Sequence, residues 1–389
     1  MAESSTTTVP ALRIESVGSI DDISEADWDA LSGTDNPFLR HAFFAALERS
    51  GCTTRQTGWI PAHLKLIQGG ELVGLIPAFR KLHSMGEYVF DWAWADAYER
   101  YGMDYYPKLL MAVPFTPSQG ARLLLKPEFR ERLRPEDLHA ALDQVAEALS
   151  CHSWHLLFPN ARDQSLLDLD GRLHRIGCQF HWFNRDYQSF DDFLATLTSR
   201  KRKSIRKERR QVSEQGIEFR HFPAHELPDH VLDAFYVFYQ ATYLKRGQRP
   251  YLKRGFFQAL KENQPEQMHV VMAVKDGEMI AGALFLLGQD TLYGRYWGCL
   301  EDYQHLHFET CYYQGIELAI DKGFRCFDAG AQGEHKLVRG FEPQLTHSWH
   351  WVAHPGFAEA IEQFTLDEAE DVIDYRDAAL EALPYRQEE

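Results

Sequence analysis

The sequence has no C-x-x-C pair among its six cysteines (Cys52, Cys151, Cys178, Cys299, Cys311 and Cys326). The common zinc and dithiol spacings are thereby excluded, and scattered thiols fit a reducing cytosol. No apolar run reaches the roughly 18 residues of a spanning helix. Positive charge is scarce: 41 Lys and Arg stand against 57 Asp and Glu, a formal net charge of −16. Such a chain does not attract nucleic acid or anionic membrane through its overall field, so any polyanion site must be local. Also missing are G-x-x-x-x-G-K-[ST], a G-x-G-x-x-G after a strand, G-x-S-x-G and H-E-x-x-H. Their absence argues against kinases, dinucleotide dehydrogenases, typical α/β hydrolases and zincins. Met1–Pro10 lacks the charged-then-apolar pattern of a secretory signal and reads as a loose leader, which points to a cytoplasmic protein.

What remains is ordinary globular material, 44% hydrophobic over 389 residues, a length that suggests two domains. Apolar periodicity predicts helices at Ser24–Leu31, Leu39–Ser50, Pro135–Leu149, Asp163–Ile176, Phe193–Gln215, Val231–Leu244, Gly255–Asn263, Phe308–Lys322 and Ala358–Leu383. Short β runs separated by glycine turns predict two hairpins, His63–Ile67 with Leu72–Ile76 and Met268–Val274 with Glu278–Leu287. Further strands are predicted at Thr291–Trp297, Cys326–Ala329 and Trp349–Val352, whereas Tyr88–Arg134 shows no clear period. The turn Gly70-Glu71-Leu72-Val73 recurs as Gly277-Glu278-Met279-Ile280, each time inside a hairpin preceded by two helices. That context reads as a duplicated α/β unit. The expected division is a first domain at 11–187 and a second at 188–389, the latter with a basic helix at 199–211 and an acidic C-terminal helix.

Four segments carry chemistry. Arg200–Arg210 holds eight basic residues of eleven, including Arg202, Lys203, Arg206 and Arg209. It reads either as a helix offset by acidic surface elsewhere or as a site for a phosphate-rich ligand. Gly330–Phe341 follows a strand and places Gln332, Glu334, His335, Lys336 and Arg339 beside three glycines. A carboxylate, an imidazole and two cations there have the composition of a general base with anion holders, against the alternative of a plain surface turn. His83–Tyr101 interleaves Glu87, Asp91 and Asp96 with aromatics such as Tyr98, as in a cleft for an extended organic or peptide-like substrate, or as in an aromatic core with boundary acids. Tyr243, Lys245 and Arg246 lie where Gly247 stops a helix and are candidates to face a ligand.

His83-Ser-Met-Gly-Glu-Tyr-Val-Phe-Asp91, Trp94–Arg100, Tyr105-Tyr-Pro-Lys108, Gln179-Phe-His-Trp182, the basic run, Phe238–Gly247 and Gly330–Lys336 together resemble the FemAB-like branch of the GNAT-type N-acyltransferase superfamily. That branch is associated with peptidoglycan biosynthesis and recognition, and the likeness runs from about Asn36 to Val352. It implies two tandem GNAT-like domains of the α/β (α+β) kind, each a mixed, mainly antiparallel sheet flanked by helices. It further implies acyl or aminoacyl transfer to an amine on a small molecule, peptide or cell-wall precursor, with no metal and no permanently bound cofactor. The donor is acyl-CoA or aminoacyl-tRNA, which makes tRNA a candidate partner. One departure is visible: Cys299–His307 lacks the glycine-spaced pyrophosphate cradle of ordinary acyl-CoA enzymes.

On this reading Glu334 or His335 is the base, and Glu87 and Asp91 serve the amine. His83, Asp96, Tyr98, Tyr243, Lys245, Arg246, Gln332, Lys336 and Arg339 bind substrate, and Arg202, Lys203, Arg206 and Arg209 bind donor phosphate. The alternative is a non-catalytic relative that recognises a peptide or peptidoglycan precursor.

Overall fold

The computed structural model describes residues 11–386 apart from Gln332. The first half contributes β1 (Arg13–Val17), β2 (Trp59–Pro61), β3 (His63–Gln68), β4 (Glu71–Ile76), β5 (Ala78–Lys81), β6 (Lys108–Met111), β7 (Leu124–Leu125), β8 (Ser153–Leu157) and β9 (Leu173–Phe183). The second contributes β10 (Ile217–Pro223), β11 (Met268–Lys275), β12 (Glu278–Leu287), β13 (Thr291–Cys299), β14 (Cys326–Asp328) and β15 (Glu342–Val352). The principal helices are α1 (Glu25–Ser32), α2 (His41–Arg49), α3 (Trp92–Arg100), α4 (Pro135–Ala148), α5 (Ser199–Glu214), α6 (Asp229–Leu244), α7 (Arg254–Asn263), α8 (Gln314–Asp321) and α9 (Pro355–Glu381).

The duplication is visible in local detail. Each hairpin turns through two residues of positive φ, Gly69-Gly70 and Asp276-Gly277, the backbone that glycine and aspartate tolerate best. Each carries a bulge at the matching place, after Leu66 and after Ala273. Each half then runs antiparallel until one parallel pair, β6 with β8 and β13 with β14. The copies diverge at Pro77. Where β12 runs on unbroken, Pro77 has no N–H to donate and separates β4 from β5. As a result β4 joins a four-stranded sheet with β1, β3 and β7, while β5 joins the large sheet.

That large sheet crosses from one half of the chain to the other in the order β10-β11-β12-β13-β14-β9-β15-β8-β6-β5-β2. The halves exchange strands. β9 leaves the first half to pair with β14, and β15 returns from the second to pair with both β9 and β8. Apolar clusters line both faces, and one of them joins Phe38, Phe43 and Trp59 of the first half to Phe235, Phe256 and Tyr296 of the second.

Four expected elements differ. The helix at Phe308–Lys322 opens with a π-helical turn, Glu309–Tyr313, and becomes α-helical only as α8. The helix at Asp163–Ile176 ends at Leu167, because Gly171, in the left-handed region, turns the chain into β9. The helix at Phe193–Gln215 is two, Phe190–Thr196 and α5, divided where Leu197 bridges to Tyr385 and the Thr198 N–H donates to Pro384 O. The strand at Trp349–Val352 is the last third of β15, an eleven-residue strand whose polar residues disguise it.

Because β9 finds its hydrogen-bond partners in the second half, residues 1–187 expressed alone will leave that strand unpaired on both sides. We expect this fragment to lack a cooperative thermal transition in circular dichroism. A fragment melting as sharply as the full chain would contradict the exchange.

Candidate functional site

The parallel ladder of β13 and β14 ends at Tyr293 and Asp328, and beyond it the strands part. The gap opens into a cleft of about 390 Å³ on one side of β13 and a smaller cavity of about 120 Å³ on the other. Arg295, Tyr296, Trp297 and Ala329 line both. The larger cleft is a cage of phenols. Tyr243 contacts Tyr239 and Tyr251 at ring separations of 5.1 and 5.7 Å, Phe115 stacks on Tyr251, and Tyr296 packs against Tyr239. Helix α6 brings Tyr239, Thr242 and Tyr243 this close because Gly298 has no side chain. A Cβ there would stand 1.9 Å from the Phe238 carbonyl oxygen. The Tyr296 hydroxyl is buried with no hydrogen-bond partner among the described residues, and burial pushes its pKa well above the ordinary phenol value, so it stays protonated.

At the fork, Asp328 accepts hydrogen bonds from Arg295 (2.7 Å), from Ser118 of the first half (2.7 Å) and from the Gly330 N–H (2.9 Å). Burial works against its charge, but the neighbouring Arg295 guanidinium prevails and holds the carboxyl down at about 2. Lys336 is buried alongside and donates to the Gly330 carbonyl at 2.6 Å. Burial lowers its ammonium to about 8. The equivalent fork between β6 and β8 is closed. There the Gly120 N–H donates to Phe158 O, and the Arg122 guanidinium, 1% exposed, donates to the Leu157 and Ser118 carbonyls.

Glu87 and Asp91 do not reach the cleft as free carboxylates; they are 4% and 3% exposed. Both accept from the Lys108 ammonium, which also donates to Ser84, and Asp91 accepts from Tyr105 as well. Burial raises the Glu87 carboxyl. Burial also opposes the charge of Asp91, yet Lys108 keeps it ionised. The lysine staples both ends of the short loop between them, and that loop presents Tyr88 and Phe90 to the cleft. Tyr88 has φ +65°, a conformation a bulky residue holds only under constraint.

The other expected residues scatter. Tyr243 and Arg246 line the cleft, as do Gly330 and Ala331. Lys245 is exposed and pairs with Asp302. His83 is committed to the Thr57 carbonyl and the Met85 N–H. Asp96 is exposed on α3, and Tyr98 is buried, stacked on Phe357. Gln332 lies outside the described residues. Glu334 faces outward and accepts from Tyr375. His335 bonds Tyr312, which lines the smaller cavity. Arg339 is buried against the Phe308 ring and is spent on Glu208 and Tyr313.

A family model described as FemAB-like, peptidoglycan biosynthesis/recognition, matches residues 19–387. The chain belongs to the FemAB-like family. Among solved structures it is similar to FemX, at 13% identity and TM-score 0.53, over 87% of this chain and 98% of that one. It is also similar to the C-terminal domain of a putative lysylphosphatidylglycerol synthetase from Agrobacterium fabrum, at 9% identity and TM-score 0.51, over 88% and 97% of the two chains. A tandem GNAT protein from the clavulanic acid pathway overlays 88% of this chain and 99% of its own at TM-score 0.49 and 11% identity. A comparison with curated proteins found no match. The fold is the mixed α/β arrangement shared with FemX. No helix among the described residues is long and apolar enough to cross a membrane.

In this FemAB-like chain the basic run is α5, whose buried side carries Ile205 and Val212. Arg209 is neutralised by Glu309 and Glu317, and exposed Arg206 pairs with Asp191. Arg202 is half-buried, while Arg200, Lys203 and Lys207 are exposed; none of these four has an ion pair in the described residues. The run is therefore part structural and part free. Sequence reasoning missed Lys108, Arg295, Asp328 and Tyr296. Tyr105-Tyr-Pro-Lys108 carried the first as a signal, whereas the other three sit on strands that read simply as core.

Replacing Lys108 by Met leaves buried Asp91 without its cation and buried Glu87 with only Lys81, 3.7 Å away. We expect a loss of about 3–5 kcal/mol, measured by urea unfolding.

Lys336 supplies a pH test. Its folded value lies below the ordinary 10.5, so between about 8 and 10.5 the unfolded chain binds more protons and stability rises with pH. Relative to Lys336→Met, the wild type should gain up to about 3 kcal/mol across that window. A constant difference would show an unshifted lysine.

Proposed function

We propose that this protein is an N-acyltransferase that joins an acyl or aminoacyl group to an amine at the open fork of β13 and β14. The observation that carries the reading is the pair of cavities meeting across β13, one a phenol cage and the other smaller and more apolar. The amine occupies the cage. Burial there beside Arg246, which has no ion pair among the described residues, favours its uncharged, nucleophilic form, and the proton leaves through the open mouth. The donor carbonyl lies at the fork, where β13 has lost β14 as a neighbour past Tyr293. Attack forms the C–N bond, and the thiol or ribose hydroxyl of the donor departs with a proton. The protonated Tyr296 phenol, which has no hydrogen-bond partner among the described residues, donates to the developing oxyanion.

His307 lines the smaller cavity. Burial, together with nearby His335 and Arg339, pushes it down to about 4, so it is neutral near pH 7 and able to receive a proton. His335 acts through Tyr312. The donor carries phosphate, read from the exposed cations Arg200, Lys203 and Lys207 on a helix whose Glu208 bonds Tyr313 and Arg339 beside that cavity. Membership of the FemAB-like family, described by peptidoglycan biosynthesis/recognition, supports acyl or aminoacyl transfer as the class of reaction.

Purified protein should be incubated with mixed amines and, in separate arms, acyl-CoA or aminoacyl-tRNA, and amide product sought by mass spectrometry. We expect product in one arm, with Tyr296→Phe lowering kcat at least tenfold (about 1.4 kcal/mol) at unchanged melting temperature. If the tRNA arm is the active one, binding should weaken steeply between 50 and 200 mM salt and less steeply once Arg200, Lys203 and Lys207 are Gln. No amide in either arm would overturn the reading.

A further inference from the structure

Beyond Tyr88, Phe90 and Ala331, which line the phenol cage, the cleft continues into a groove of about 230 Å³ between β9, β15 and α9. Nothing in the reaction above uses it. On its wall stands Gln179 of β9, 3% exposed. Its Nε2 donates to the Pro117 carbonyl at 2.9 Å, which fixes which way the amide faces. The oxygen Oε1 is left buried without a partner among the described residues. An unpaired buried acceptor of this kind costs stability that an incoming N–H would recover.

The charges of the groove cancel. Arg175 is bidentate to Glu368 of α9 and spends its remaining nitrogen on the Phe90 carbonyl. His347 bonds His174, and burial lowers both imidazoles, so the pair is neutral near pH 7. Arg246, the cleft cation with no ion pair among the described residues, does not line the groove. An anion entering would therefore meet an orphan carbonyl oxygen and the Glu368 carboxylate, with no cation to spare. An uncharged N–H donor meets a partner.

We infer that the groove is an acceptor subsite that takes an uncharged amide next to the reactive amine and rejects a free carboxylate at that position, with Gln179 Oε1 accepting the amide N–H. The inference rests on the amine occupying the phenol cage. It makes the protein selective for amines embedded in an amide-bonded molecule over free amino acids.

Three probes sharing one primary amine separate the possibilities: N-acetyl-lysinamide, N-acetyl-lysine and butylamine, each titrated calorimetrically against the full chain. The amide should bind at least tenfold more tightly than the carboxylate. Gln179→Met, which keeps the length and removes the acceptor, and Val372→Trp, which fills the groove from the surface of α9, should each reduce that ratio to within about threefold. Butylamine affinity reports whether the cage is intact in each variant. Equal binding of amide and carboxylate by the wild type, no amide binding at all, or an unchanged ratio in both variants would overturn the subsite. A ratio that behaves as expected in a protein that forms no product with either donor would leave the subsite standing and remove the transfer reaction. Product formation with no preference between the probes would do the reverse.

Discussion

The exchange of strands between the two halves is the constraint on which the rest depends. β9 and β15 are hydrogen-bonded to each other and each borders the opposite half, so neither unit can complete its sheet alone. Backbone hydrogen bonds of this kind fix distance and angle far more tightly than apolar contact between separate domains. The cleft walls therefore come from both halves in a set relation. Tyr88 and Phe115 come from the first half, and Tyr243 and Tyr296 from the second. Ser118 reaching across to Asp328 secures the same join at the fork itself.

Duplication has left two forks with different fates. In the second copy, parting of the parallel strands leaves an opening that Arg295, Tyr296, Trp297 and Ala329 line. In the first, the loop after β6 lies along the end of β8 and Arg122 fills the space with donors to carbonyl oxygens. A buried guanidinium is tolerable there because those carbonyls accept from it and the nearby Asp163 carboxylate offsets its charge. One fork is filled by protein atoms, and the other stays open.

Buried charge does its work around the cleft more than inside it. Lys108 holds Glu87 and Asp91, and through them the strained Tyr88. Lys336 holds the Gly330 carbonyl, and Arg175 ties Phe90 to α9. Each of these cations is spent on protein atoms, so its role is to position the wall. Those three cations rigidify the wall, while the cage they support is phenolic.

Much of this architecture was legible in the residues alone. Both hairpins, the repeat, most helices and the basic run follow from periodicity, turn chemistry and charge density, which act over a few residues. The FemAB-like resemblance could be read from motifs that are local in the same sense. The length of β15 was hidden because Gln344, Thr346, His347 and Ser348 interrupt its apolar pattern, and only pairing on both sides makes them strand. Glu87 and Asp91 looked like catalytic carboxylates serving the amine because a sequence cannot show that Lys108 folds back onto them. The dense ionisable set at 334–339 looked catalytic, yet Arg339 is consumed by Glu208 from a distant helix. The cage could not be foreseen, since its rings come from positions 88 to 296 and become neighbours only when two strands part. Local physics in the sequence determined the elements and their duplication. Which buried charges were paired, and which fork stayed open, was decided by tertiary structure, because partners remote in sequence settle both.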